Sequence, residues 1–203
     1  MLPKSIKNLI DKFTKFPSVG PRQAARFVYC LLEKPKEEIE DFAMAILNLQ
    51  KIKKCALCYQ NIEKSEKEQF PYLCPICKND KRNKTTICIV EKDTDIEIIE
   101  KTGRYNGLYH ILGKSEIKNF NEKILQELHL KELIKRIKDN KEIKEVIIAT
   151  SATTNGDTLA LYISRLLKPL NIKKTRLGRG LSTGSELEYM DEETLSQALL
   201  GRK

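Results

Sequence analysis

The chain has 203 residues, 40% apolar and 32% charged, a globular mixture that excludes wholesale disorder and supplies enough apolar side chain for a core. No apolar run approaches the ~18 residues that cross a bilayer, and four lysines in the first 20 residues leave no signal-like stretch, which predicts a cytoplasmic protein with no membrane partner. The net charge of +9 is uneven: residues 1–84 hold 17 basic and 10 acidic side chains and residues 85–203 hold 20 and 18, so the N-terminal part carries the footprint of a polyanion-binding surface.

The chain opens with helices. Ile6, Leu9, Ile10 and Phe13 fall at helical spacing after Ser5, a candidate cap. Pro17 and Gly20 break that helix, and Pro21 opens a second one running to about Glu33. A third, amphipathic helix is predicted over 36–52, with Ile39, Phe42, Ile46 and Leu49 facing inward. Helix, glycine-containing hairpin, helix is the layout of a helix-hairpin-helix element, in which a glycine and a helix N-terminus bring backbone N–H groups to a phosphate. Arg22 and Arg26, four residues apart, share one helix face and are the candidate phosphate contacts. As a bare pattern this is equally the signature of two packed helices with a solvated basic face.

Four of the six cysteines are paired as Cys55-Ala56-Leu57-Cys58 and Cys74-Pro75-Ile76-Cys77, with 15 residues between the pairs. Two such knuckles complete a sulfur tetrahedron around zinc, and since all four ligands come from the chain, one structural Zn2+ per chain is expected, with no open position for chemistry. Two disulfides would need an oxidising compartment, and a thioredoxin-like centre would need one pair rather than two. Cys30 and Cys88 lie in apolar stretches and read as small buried hydrophobes. Lys53, Lys54, Lys81 and Arg82 around this lobe form an alternative basic surface.

Beyond the cysteines the texture alternates between strand and helix. Strands are predicted at 86–90, 109–112 and 145–150 and a further one at 172–176, with helices at 94–100, 130–137 and 156–167 between them. That order implies a parallel sheet flanked by helices, with ligand-binding residues at the strand C-termini, where Glu91 stands.

The acid ending the first strand (Ile89-Val90-Glu91) and a later strand running into a glycine-containing turn resemble the Toprim domain of topoisomerases and primases. Taken in order, the hairpin at 17–26, the four cysteines, Cys88-Ile89-Val90-Glu91, the stretch 102–113, Arg179-Gly180-Leu181 and the stretch 187–195 resemble the bacterial RecR family of recombination mediators. The resemblance implies an α+β, multi-part chain. Its parts would be a helix-hairpin-helix DNA-binding domain (1–53), a four-cysteine zinc finger (54–82), a Toprim domain with a mostly parallel sheet (83–170) and a C-terminal Walker-B-like segment and helix (171–203). It further implies a non-enzymatic clamp and adaptor in recombinational repair, cytoplasmic and nucleoid-associated. Such a protein acts with RecO, and in many bacteria RecF, to load RecA on gapped or single-stranded DNA. The expected assembly is a dimer or a tetrameric ring able to encircle duplex DNA, gapped DNA or a junction. Glu91 and Asp157 are the residues expected to contact RecO.

The alternative is a Toprim-type metal-dependent nuclease or primase, which needs an Asp-x-Asp to hold magnesium beside the strand-end glutamate. Here those positions are Ser151 and Thr153, poor ligands for a hard dication, so no catalytic residue is assigned. Glu91 with Asp93, Asp95 and Asp157 forms instead an expected acidic patch at an exposed sheet edge, although Asn155 stands where relatives often carry a glutamate. A general zinc-ribbon nucleic-acid factor would leave the α/β half without a role. No phosphate-cradling G-x-x-x-x-G-K-[ST] loop supports ATP binding; Gly178, Gly180 and Gly184 near Arg176 and Arg179 read as turns able to lodge an anion. The acidic run 191–194 reads as the first turn of a last helix, and His110 and His129 as core or surface residues without a nucleophile partner.

Overall fold

The computed structural model describes residues 2–64, 69–113, 127–178, 180–181 and 184–201. Arg179 lies outside the described residues. The chain divides into two compact units, 1–52 and 53–203.

The first unit holds α1 (Lys4–Phe13), α2 (Pro21–Leu32) and α3 (Lys36–Asn48), closed by a 3-10 turn, Leu49–Lys51. Ser5 is inside α1 rather than its cap; the N-cap is Pro3, with no side-chain hydrogen bond. Phe13 stacks edge-on against Phe27, with ring centroids 5.7 Å apart, and joins α1 to α2. Pro21 opens α2 after Gly20, as the fixed φ of proline favours, and the left-handed residue of the hairpin is Ser18, at φ +61°. The expected inward face of α3 is instead outward: Ile39, Phe42, Ile46 and Leu49 are 40–67% exposed. Helical periodicity fixes which residues share a face but not what covers it, and among the described residues of this unit only Ala24 and Val28 are buried. Cys30, expected among buried hydrophobes, is exposed for the same reason: the apolar stretch around it has too little of the unit packed over it.

The second unit begins with a two-stranded ribbon, β1 (Ile52–Lys54) and β2 (Asn61–Glu63), followed by the one-turn helix α4 (Pro75–Lys78). Its main sheet contains β3 (Thr86–Val90), β4 (Leu108–Ile111), β5 (Glu145–Ala149) and β6 (Lys173–Arg176) in the order β4-β3-β5-β6. All three pairings are parallel, with Val90 opposite both Ile111 and Ala149 and Ile148 opposite Arg176. The crossovers carry α5 (Asp93–Lys101), α6 (Leu130–Asp139) and α7 (Thr154–Leu166).

Alternation along β3 divides the core. Ile87 and Ile89 join Val146 and Ile148 under α6 and α7, with Leu133, Ile137, Leu159 and Ile163 buried against them. Cys88 and Val90 face the other way, with Tyr109, Ile111 and Ile96 of α5. Tyr59 and Ile76 of the cysteine lobe pack on this second face, so the lobe covers part of the sheet. The chain ends in a 3-10 turn, Leu187–Tyr189, and α8 (Glu192–Leu200). Asp191 caps α8, accepting from the Thr194 N–H at 2.8 Å and its hydroxyl at 2.7 Å, which accounts for the acidic run at that helix start.

Candidate metal centre and nucleic-acid interface

Each cysteine pair forms a tight loop, and Tyr59 turns the chain back at φ +67° after the first. In the second, Cys74 is the N-cap of α4 and its sulfur accepts the Cys77 N–H at 3.3 Å, while Pro75 takes the first helical position. The Cys74 N–H donates to Cys55 Sγ at 3.3 Å, tying the pairs together. All four sulfurs lie within 4.8 Å of one another, and Cys58 and Cys74 Sγ are 3.5 Å apart. Tetrahedral zinc with bonds of ~2.3 Å needs sulfurs about 3.8 Å apart, so the set fits the ion. Cys55, Cys58 and Cys74 are at most 1% exposed; Cys77 is part-exposed. Without a cation the four thiols cannot all ionise: hydrogen bonding from Cys58, above all, drives Cys55 down, while the same interaction and burial drive Cys58 up. Four thiolates would then require the charge of a metal. Among the described residues, these cysteines are the only group of three or more His, Cys, Asp or Glu side chains placed to hold an ion.

The lobe is fastened to the sheet by polar contacts that no sequence pattern announced. The Ile111 N–H on edge strand β4 donates to the Cys58 carbonyl at 2.8 Å. Arg136 on α6 donates to the carbonyls of Leu57 (3.0 Å) and Tyr109 (2.6 Å). Asp93 accepts the Asn61 backbone and side-chain N–H groups, both at 2.7 Å. His129 stacks on Tyr59 with centroids 3.8 Å apart, and its Nε2 is 3.3 Å from Lys54 Nζ. His110 is fully buried; its Nε2 donates to the His129 carbonyl at 2.7 Å, and burial pushes its pKa down to about 4. Both histidines are thus core or docking residues.

Arg82 is occupied. Its guanidinium makes a two-pronged pair with Glu100 at 2.7 and 2.9 Å, donates to the Gly107 carbonyl, and is only 11% exposed. Glu100 also accepts the Tyr109 hydroxyl at 2.6 Å, and Arg82 holds its carboxyl below the usual range. Arg82 therefore joins the lobe to α5 and β4 and is withdrawn from the basic surface, whereas Lys53 and Lys81 remain exposed.

In the first unit Arg22 and Arg26 occupy the opening turns of α2, and both are exposed. Gly20 precedes them with extended backbone, and a Cβ there would meet nothing within 4 Å. Neither a special φ nor a close neighbour requires glycine at this position, and the start of α2 is unobstructed beside it.

The strand-end acids are placed differently from expectation. Glu91 is 9% exposed, not displayed at an open edge, and its Oε1 accepts the Ser151 N–H at 2.6 Å. Asp95 accepts the N–H groups of Glu91 and Lys92 and so caps α5. Asp157 pairs with Arg176 at 2.7 Å, and Asp93 serves Asn61. Each acid has its own hydrogen-bond or ion-pair partner within the chain. The loop after β5 is tightly wound: Thr150 donates to the Gly156 carbonyl at 2.9 Å, and Thr153 accepts the Gly156 N–H at 3.1 Å. A Cβ on Gly156 would lie 2.0 Å from the Ser151 carbonyl oxygen, so only glycine fits there.

Comparison with known proteins adds to this geometry. Residues 6–49 match the family model "RecR, helix-hairpin-helix", residues 85–178 "Toprim domain" and residues 180–203 "RecR, C-terminal". The recombination protein RecR of Chloroherpeton thalassium is 43% identical over 98% of this chain and 96% of its own. Those of Clostridium perfringens (41% identity, 98% and 96%) and Lactobacillus acidophilus (38%, 98% and 97%) are similar over the same span. The chain belongs to the RecR family. Membership accounts for the order of parts: a helical hairpin, a parallel Toprim sheet and a short C-terminal element on one chain, with the four-cysteine lobe between the first two.

Proposed function

We propose that the chain is a non-enzymatic DNA-binding clamp and adaptor of recombinational repair. The observation that carries this reading is the pairing of an open, basic helix start with a Toprim site whose acids are already spent. Arg22 and Arg26 stand beside an uncovered helix N-terminus and can take adjacent phosphates without reading bases. Glu91 is committed to a backbone N–H, and Ser151 and Thr153 offer no carboxylate beside it, which leaves magnesium-dependent cleavage without ligands. The relatives are named recombination proteins, in keeping with this role. The substrates are gapped duplex and single-strand junctions, and the partner is RecO, with RecF as a further one, in loading RecA. Glu91 and Asp157 are assigned to the RecO-facing side, Glu91 acting through the loop it holds.

The four cysteines hold one structural Zn2+, whose role is to fix the two knuckles that carry Leu57 and Cys58 to the sheet. The outward face of α3 is read as a contact between copies of this chain in a dimer or ring, since Ile39, Phe42, Met44, Ile46 and Leu47 are 40–54% exposed along it. No described helix is long and apolar enough to cross a membrane; a cytoplasmic, nucleoid-associated site of action belongs to the same reading as the DNA-binding role. The test is a binding titration of gapped duplex, with and without RecO, against wild type and the Arg22→Ala/Arg26→Ala double variant, alongside a magnesium-dependent cleavage assay. Cleavage by wild type, or DNA affinity unchanged in the folded double variant, overturns the reading.

A further inference from the structure

The four cysteines are not equivalent. Cys55, Cys58 and Cys74 are at most 1% exposed, whereas Cys77 is part-exposed and lines a cleft of about 570 Å³ between the lobe and α6. The sulfurs of Cys55 and Cys74 each accept a backbone N–H at 3.3 Å, which draws negative charge from them. Cys77 is the one ligand of the four with appreciable exposed surface, and it borders a cleft through which a small neutral oxidant can come up to it. We propose that Cys77 is an oxidant-accessible modification site, the point at which peroxide enters and dismantles the metal centre. This rests on the reading of the cysteines as a zinc site.

The chemistry balances with hydrogen peroxide as oxidant. Cys77 thiolate attacks one peroxide oxygen and expels hydroxide, giving a sulfenic acid. A second cysteine thiolate, within 4.8 Å, attacks that sulfur, forms the S–S bond and expels a second hydroxide. Two protons from solvent turn both hydroxides into water, and two thiolates have lost one electron each. Zinc, left with two ligands, departs. The first knuckle then loses the anchor that holds its carbonyls against Ile111 of β4 and Arg136 of α6, and the edge of the sheet is uncovered.

The experiment uses the full chain carrying Cys30→Ser, which removes the exposed thiol outside the site. Zinc content is measured first; graded hydrogen peroxide is then added. Zinc release is followed with a chromophoric chelator, and the remaining thiols are mapped by N-ethylmaleimide and peptide mass spectrometry. The expected result is that Cys77 is lost first, with two thiols consumed per zinc released. In Cys77→His, whose three cysteines and one histidine still suit zinc, release should slow on the order of tenfold. Loss of Cys55, Cys58 or Cys74 ahead of Cys77, or zinc retained after Cys77 is oxidised, overturns the proposal even if Cys77→His does not fold. A chain that carries no zinc before oxidation overturns the zinc reading itself, a different result from zinc bound but indifferent to Cys77.

Discussion

Glu91 offers the sharpest test, because burial and charge predict different behaviour for two substitutions. Its Oε1 accepts the Ser151 N–H at 2.6 Å, and the side chain is 9% exposed. A hydrogen bond to a charged acceptor contributes about 1.5–3 kcal/mol, and a neutral one about 1 kcal/mol. Glu91→Ala removes the bond and leaves the Ser151 N–H to water, since Ser151 itself is exposed. That places the loss near the low end, about 2 kcal/mol, whereas Glu91→Gln keeps an acceptor and loses about 1 kcal/mol. Urea unfolding of the three proteins measures this order. Titration of RecO then separates the two ways Glu91 can serve a partner. If it acts by holding the Ser151 loop, Glu91→Gln retains most of the RecO affinity and Glu91→Ala loses it, with DNA binding intact in both. Equal large losses for Gln and Ala would refute the loop argument and point to a direct charge contact. Wild-type stability and RecO affinity in Glu91→Ala would refute any role for the residue.

Elemental analysis should find one zinc per chain, and Cys74→Ala, which removes both a ligand and the cap of α4, should give insoluble protein; full structure after exhaustive chelation would argue against a structural ion. Arg22→Ala with Arg26→Ala should weaken DNA binding uniformly across sequences and flatten its salt dependence by a slope of roughly 2, measured by anisotropy at several salt concentrations. His110 links stability to pH: its folded pKa of about 4 lies below the ordinary 6.5, so the unfolded chain takes up a proton first and stability falls as pH drops from 6.5 toward 4. The loss is up to ~3 kcal/mol over that window and absent above it. His129 is pushed down as well, by burial and then by Lys54, so the difference between wild type and His110→Gln isolates the His110 part between pH 6.5 and 5, above most carboxylate titrations. An identical pH profile in the variant would refute it.

What the sequence made legible is what repeats at short range. Apolar runs located β3 and β4, which are buried on both faces, and the 146–149 part of β5, whereas β6 (Lys173–Arg176) has no apolar residue and its place follows from its pairing with β5. Cysteine spacing located the four-sulfur cluster, because each C-x2-C pair places two sulfurs on one tight turn. The misreadings share one cause: a short-range pattern says which groups travel together, not which long-range partner they meet. Ile39, Phe42 and Ile46 do form one face of α3, but nothing in the unit covers it. Glu91 does end a strand, but Ser151, 60 residues away, closes over it. Arg82 sits in a basic run, yet Glu100 and Gly107, brought in by α5 and β4, take it out of solvent.

These long-range contacts also set the surroundings of the strand-end acids of the Toprim sheet. Strand-end carboxylates that converge on a magnesium repel one another until the metal arrives, so the ion is part of what stabilises the cluster. Here each acid has been given a private partner: Ser151 N–H for Glu91, the α5 N-terminus for Asp95, Asn61 for Asp93 and Arg176 for Asp157. Arg176 balances the charge of Asp157, while Glu91, Asp93 and Asp95 are solvated by hydrogen bonds from neutral groups within the chain. The four-cysteine cluster, the group that could hold an ion, lies in the lobe that packs on the same face of the sheet as α5 and bonds to β4. An ion held by the four cysteines would organise the lobe against the edge strand β4. That arrangement suits the proposed adaptor role, in which a partner meets a surface held by contacts within the chain.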